Sequence, residues 1–219
     1  MPENPDFFSW MSRGCCEADC PCEGPERKQK KTSAKRKYEN LTDDDLKYIE
    51  AVRIGDVDTY APMIKIAFDK AFPNTVVKSE VWRRDKSSDF NVFNIRRKDK
   101  SDAGWLGEGV YFYGSYEDAR DAHAYGFCLR PFFIDIERPF TIDKPTRDLI
   151  AKANASGTSH AVTQITKDFD GVFYNGDMKE EWCVRSPCQI KLAGVTRDDA
   201  GQIIPLSYRF KRDNPDFRF

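Results

Sequence analysis

Apolar residues in this chain change their spacing near residue 74, from every third or fourth position to every second. Before that point, Leu46, Ile49 and Val52 recur at helical spacing behind Thr42-Asp-Asp-Asp45, a capping-box pattern with Asp in place of Glu. Gly55 stands where a helix C-cap belongs. A second stretch, 57–72, gathers Met63, Ile64, Ala67, Phe68 and Ala71 on one face and is stopped by Pro73. The pattern predicts a pair of short helices over 42–72, joined at Gly55.

Beyond residue 74 the spacing predicts strands at 76–82, 109–113 (GVYFY) and 132–136 (FFIDI). Further strands are expected at 171–174 (GVFY), 182–184 and 190–192, then a hairpin around Asp199-Ala-Gly201 leading to Ile203-Ile204. A helix at 116–125 falls between the second and third strands, with Ala119, Ala122 and Ala124 permitting close packing. A weaker helical stretch covers 149–165 and is interrupted at Gly157. Helices first and strands afterwards give an α+β domain, not an alternating βαβ series.

Residues 1–40 have no such periodicity and read as a flexible arm ahead of a domain over 41–219. That domain divides into the helical pair (42–72), a core (75–192), and a C-terminal hairpin and tail (193–219). The arm carries a basic run from Arg27 to Lys37 with seven Lys and Arg and no acid. This run reads either as a solvated linker or as a contact for nucleic acid or a nuclear import receptor. Cys15, Cys16, Cys20 and Cys22 have enough thiolates for a zinc ion but lack paired C-x2-C spacing, so zinc is possible and not favoured.

Composition narrows the function classes. Thirty-five Lys and Arg against 36 Asp and Glu leave a net charge of −1, so no global field draws the chain to nucleic acid or membrane. Two histidines, His123 and His160, exclude a His-rich metal centre and argue against a His-dependent triad. Seven cysteines with no secretory signal argue against a disulfide framework and for a reducing, cytoplasmic setting. No apolar run reaches the roughly 18 residues of a membrane span, so no membrane partner is expected.

Three segments stand out as candidate chemistry: Val81-Trp-Arg-Arg-Asp85, Gly107-Glu-Gly-Val-Tyr-Phe112 and Glu180-Glu-Trp-Cys-Val184. Singly, each also reads as a strand end, a core aromatic or a charged loop. In this order they resemble the three signature segments of the ADP-ribosyltransferase family. Gly109-Val-Tyr-Phe112 is similar to the tyrosine motif, and Glu181-Trp-Cys-Val184 to the glutamate motif, of the poly-ADP-ribose-polymerase branch. Asp89-Phe-Asn-Val-Phe93, Asp102-Ala-Gly-Trp-Leu-Gly107, Asp170-Gly-Val172, Pro187-Cys-Gln-Ile-Lys191 and the stretch 195–210 resemble bacterial and phage polyvalent-protein ADP-ribosyltransferases. The resemblance covers roughly 41–210.

The resemblance implies two small, mostly antiparallel sheets forming an NAD cleft behind the helical pair. It implies a mono-ADP-ribosyltransferase that moves ADP-ribose from NAD to a macromolecule, a protein in preference to nucleic acid, and releases nicotinamide. A bacterial or phage origin, with delivery into a host cell left open, follows from the same likeness. Glu181 would stabilise the oxocarbenium-like centre near the ribose 2′-hydroxyl. Tyr111 would offer a flat ring to the cationic nicotinamide, and Arg83 forked donors to ribose and phosphates. Arg84, Gly107, Gly109 and Tyr125 complete the expected NAD contacts, with Tyr125 as a second aromatic face. Where the nearest branch carries His-Gly, this chain carries Arg83-Arg84. Arginine donates like histidine but cannot accept. A catalytically weak or inactive module that binds ADP-ribose, nucleic acid or protein is therefore the alternative reading.

Overall fold

Thr42 opens helix α1 (Asp43–Ile54) as its side chain accepts from the Asp45 amide, while the Asp45 carboxylate takes the Thr42 amide in return. This is the reciprocal box anticipated from the sequence, and Gly55 ends the helix in the left-handed region at φ 75°. Asp56 caps helix α2 (Val57–Ala71), which ends at Phe72 before Pro73. Tyr60, Ile64 and Phe68 form its buried stripe. In α1 the buried positions are Asp45, Tyr48 and Ala51, whereas Leu46, expected inside, is 54% exposed. Tyr48 lies two positions on and carries the larger apolar ring, so the helix turns that side inward.

The structure is a computed structural model that describes residues 38–95, 106–148, 162–163, 165–176 and 179–219. The cysteine cluster (Cys15, Cys16, Cys20, Cys22), the basic run and most of the expected 149–165 helix lie outside the described residues. Among the described residues, no helix is long and apolar enough to cross a membrane.

After the helical pair come β1 (Val81–Asp85), β2 (Val110–Tyr113), helix α3 (Tyr116–Asp121), β3 (Cys128–Ile134), β4 (Pro139–Ile142), β5 (Gly171–Asn175), β6 (Glu180–Val184) and β7 (Ile190–Leu192). The α+β class holds, but the sheet count does not. Among the described residues the strands form one seven-stranded sheet, in the order β4-β5-β6-β2-β1-β3-β7, instead of the expected two small sheets. All pairings are antiparallel except β4–β5, which is parallel.

Several boundaries shift for local reasons. The alternation at 76–80 does not become strand. There Thr75 Oγ1 donates toward the Ile134 and Ile136 carbonyls, and the Val76 amide bonds Ile136. The third strand starts earlier than expected because Arg130, which breaks its apolar run in the sequence, is itself buried. Strand β4 begins at Pro139 and has only four residues, a weak signal at a sheet edge. The expected 116–125 helix stops at Asp121, and a single 3-10 turn (His123–Tyr125) follows, closed by Gly126. The 199–201 turn is present, with Gly201 at φ 76° and one bridge from Arg197 to Ile203.

One face of the sheet packs Val81, Val110, Phe112, Phe132, Trp182, Val184 and Ile190 into the main core. Phe93, Phe112, Phe132 and Phe217 meet there at ring distances of 5.4–6.1 Å. On the other face, α1 and α2 cover the β3 and β7 end, where Phe68 stacks on Phe133 at 4.7 Å. The central strands on that second face are left to α3 and to the site.

The C-terminal tail locks this arrangement. Arg209 donates to the Leu192 and Gly194 carbonyls, and Lys191 Nζ to those of Lys211 and Asn214. Ser207 donates both its amide and its hydroxyl to the Asp45 carboxylate, at 2.9 and 2.7 Å. Burial pushes the Asp45 carboxyl up, but the bonds from Ser207 and Thr42 outweigh it and hold the group below its ordinary 3.8. Asp45→Ala should cost about 2–3 kcal/mol in denaturant unfolding at neutral pH, since it removes a cap and a tail anchor together. A carboxyl with a lowered folded pKa contributes above its unfolded value and loses that contribution on acidification. The gap between parent and variant should therefore narrow as the pH falls below about 4.

Candidate functional site

Strands β1, β2 and β6 lie side by side, and each carries one of the three segments singled out in the sequence. Across the β2–β6 seam, Tyr111 pairs with Cys183, Phe112 with Trp182, and Tyr113 with Glu181. Phe112 and Trp182 belong to the main core. Alternation therefore sends Tyr111, Tyr113, Cys183 and Glu181 to the opposite face. Glu181 and Tyr111 share a face as expected, but the residue directly across from Glu181 is Tyr113.

The adjacent acids divide between the faces. Glu180 turns toward the core side, where Oε1 accepts from Trp182 Nε1 at 3.1 Å. Its carboxyl carbon would lie 2.5 Å from any Cβ placed on Gly114, so that glycine makes room for it. Glu181 alone of the two is on the tyrosine face.

The two arginines of β1 also separate. Val81 lies in the main core and Trp82 in a cluster with Ala119 and Leu129 on the other face. Arg83 follows Val81: its guanidinium sits 5.4 Å from the Phe93 ring, and Nε donates to Asp85 Oδ1 at 2.7 Å. Its Nη1 bonds the Tyr111 carbonyl at 2.8 Å, beside the single β1–β2 ladder pair, Trp82–Tyr113. Arg84 follows Trp82 onto the tyrosine face, where it donates to the Ala119 carbonyl (2.9 Å) and the Gly126 carbonyl (3.0 Å). The structure thus brings Arg84, not Arg83, to the side of Tyr111 and Glu181. The cue lay in the sequence, since Trp82 and Arg84 are two apart and apolar Val81 sets the inward parity.

Arg83 belongs instead to a buried ion cluster. Asp85 accepts from Arg83 through one oxygen and from Arg130 Nη2 through the other, at 3.1 Å. Arg130 is 4% exposed and stacks on Phe90 at 4.6 Å and on Phe132 and Phe217 at 5.4 Å. This cluster rivets β1 to β3 and to the phenylalanine core.

Tyr111 is anchored rather than presented. Its hydroxyl donates to the Gly107 carbonyl at 2.6 Å, and its ring packs on Leu106, Ile142, Val172, Tyr174 and Cys183. Burial pushes its phenol well above the ordinary range, and the Cys183 thiol adds to this. Gly107 and Gly109 have a packing reason to be glycine: a Cβ would meet Thr163 Oγ1 at 2.9 Å and Cys183 Sγ at 2.4 Å, respectively. Gly107 also sits at φ 89°.

Tyr113 was not singled out from the sequence, although it lies one alternation beyond Tyr111. Its ring rests on the Trp82 and Leu129 cluster, and the Lys179 ammonium lies 5.3 Å from its centroid. Burial, then the charges of Glu181 and Tyr125, push its phenol up to about 12. Asp118, at the start of α3, adds to that negative field, while Arg83 opposes it. Tyr125 stands 54% exposed on the 3-10 turn that Arg84 holds. Arg84, Tyr113, Tyr125, Lys179 and Glu181 thus form a cluster of aromatic rings and charges beside α3 on this face. Such a cluster can hold a flat cationic ring and steady a positive centre.

Asp85→Ala would leave two buried or half-buried guanidinium groups without their shared carboxylate, at a cost of about 3–5 kcal/mol. Equilibrium urea unfolding should show that loss as a lower midpoint with little change in slope. Comparison with protein-family models, with curated proteins and with solved structures returned no match.

Proposed function

We propose that this chain is an NAD-dependent mono-ADP-ribosyltransferase that passes ADP-ribose to a macromolecular acceptor and releases nicotinamide. The observation that carries this reading is the placement of Tyr111, Tyr113, Glu181 and Arg84 on one face of three adjacent strands. A carboxylate on a strand start is held in a fixed direction, which suits stabilisation of a cationic ribose centre. The acidic and aromatic surroundings of Tyr113 suit the cationic nicotinamide ring of NAD, which departs as the neutral amide when the positive charge passes to the ribose. Arg84 supplies donors on the same face, a role the sequence reading gave first to Arg83.

The direction of Arg83 favours a second reading. With Arg83 committed to Asp85 and the core side, the first-strand donor of the family pattern is displaced. A module that binds NAD or ADP-ribose without transferring it is consistent with that placement.

Incubation of the purified chain with labelled NAD and a cell lysate separates the two. The transferase reading expects label on protein, free nicotinamide, and a loss of roughly 100-fold or more in Glu181→Gln. Tight NAD binding with neither label nor nicotinamide would discard it in favour of the binding module.

A further inference from the structure

The proposed site contains a built-in competitor. We infer that the ring of Tyr113, rather than that of Tyr111, is the platform for a flat cationic ring, and that Lys179 occupies this platform until such a ligand displaces it. The inference deepens the reading above by naming the subsite, and it rests on that reading only for the identity of the cation.

Tyr111 is poorly placed to serve. Its hydroxyl is spent on Gly107, and its ring is packed among Leu106, Ile142, Val172 and Tyr174 in a satellite core. Tyr113 is paired directly with Glu181, so a cation on its ring lies beside the carboxylate that faces the same way. The Lys179 ammonium already sits within cation–π range of that ring, at 5.3 Å. Lys179 is exposed and belongs to the β5–β6 turn, where its carbonyl accepts from the Gly176 amide at 3.1 Å. A long, exposed lysine side chain can swing away at little cost beyond its cation–π contact and its solvent-screened attraction to exposed Asp121. The negative field around Tyr113, from Glu181 and Asp118, favours whichever cation takes the place. The Arg83 charge that also reaches Tyr113 is paired with Asp85. Tyr125, exposed on the turn fixed by Arg84, is near enough for its phenol to act on that of Tyr113.

The competition has a consequence that a simple binding surface would not show. Removing Lys179 should strengthen binding of a flat cation, because the ligand no longer has to displace an ammonium already in place. The probe is the N-methylnicotinamide cation, measured by calorimetry on the full chain, with neutral nicotinamide as the control. Lys179→Ala should tighten binding of the cation several-fold and of neutral nicotinamide by a smaller factor, since either ring must displace the ammonium; tightening of the cation alone marks simple charge repulsion and overturns the inference. Tyr113→Phe, which keeps the ring, should bind within about twofold of the parent, while Tyr113→Ala should weaken binding about tenfold or more. Unchanged or weaker binding in Lys179→Ala overturns the inference, as does failure of the parent to bind the cation. Lys179→Ala keeps the test decisive if Tyr113→Ala fails to fold, since Lys179 is an exposed turn residue. Binding of the probe requires no transfer chemistry, so a chain that binds it as expected yet labels nothing would fail as a transferase while the platform stands.

Discussion

Side chains of a strand alternate between its faces, and at the centre of this sheet Phe112 and Trp182 fix which way the alternation runs. Phe112 is 1% exposed and sits among Phe93 and Phe132 at 6.1 and 5.4 Å. Trp182 lies directly across from it and stacks on Phe173 at 4.1 Å. A one-residue slip of either strand would expose these rings and bury Tyr113 and Glu181 in their place. The buried aromatic pair therefore decides which side chains the site contains.

The same constraint explains why neighbouring residues of like type have unlike duties. Arg83 and Arg84 are chemically identical, yet one faces the phenylalanine core and pairs with Asp85, while the other holds the turn that carries Tyr125. Glu180 and Glu181 divide in the same way, one bonding the Trp182 indole and the other lying opposite Tyr113. Val81 sets the parity of the first pair and Trp182 that of the second. The rigidity this needs comes from outside the site: Arg130 and Asp85 tie β1 to β3, and the tail ties β7 to α1 through Arg209, Lys191 and Ser207.

Much of the fold was legible in the residues, and where it was not, the obstacle was tertiary. The helix caps at Thr42 and Gly55, the stop at Pro73 and the GVYFY strand depend on local chemistry and appear where the pattern puts them. The early start of β3 was hidden by Arg130, whose burial is allowed only by Asp85 and three aromatic rings from elsewhere in the chain. Strand β4 pairs with β5 in parallel across a long connection, which no short-range signal reveals. Merging of the strands into one sheet rests on the β1–β2 pairing, a single ladder pair between Trp82 and Tyr113 that no short-range signal reveals. Of the residues expected at the site, Tyr111 and Glu181 do share a face, whereas Tyr113 and Lys179, which the proposed platform uses, were not singled out. Tyr113 was within reach of a period-two count, whereas Lys179 becomes relevant only once the β5–β6 turn carries it over the ring.

The proposed site requires a nicotinamide dinucleotide to meet the protein at the β2–β6 seam. Backbone amide shifts recorded during titration of the full chain with NAD would locate that place directly. The perturbed amides should gather at the end of β2 (Tyr111, Phe112, Tyr113), the start of β6 (Glu181, Trp182) and the turn bearing Tyr125. Perturbations confined to the helical pair and the C-terminal tail, or none at saturating NAD, would contradict this placement.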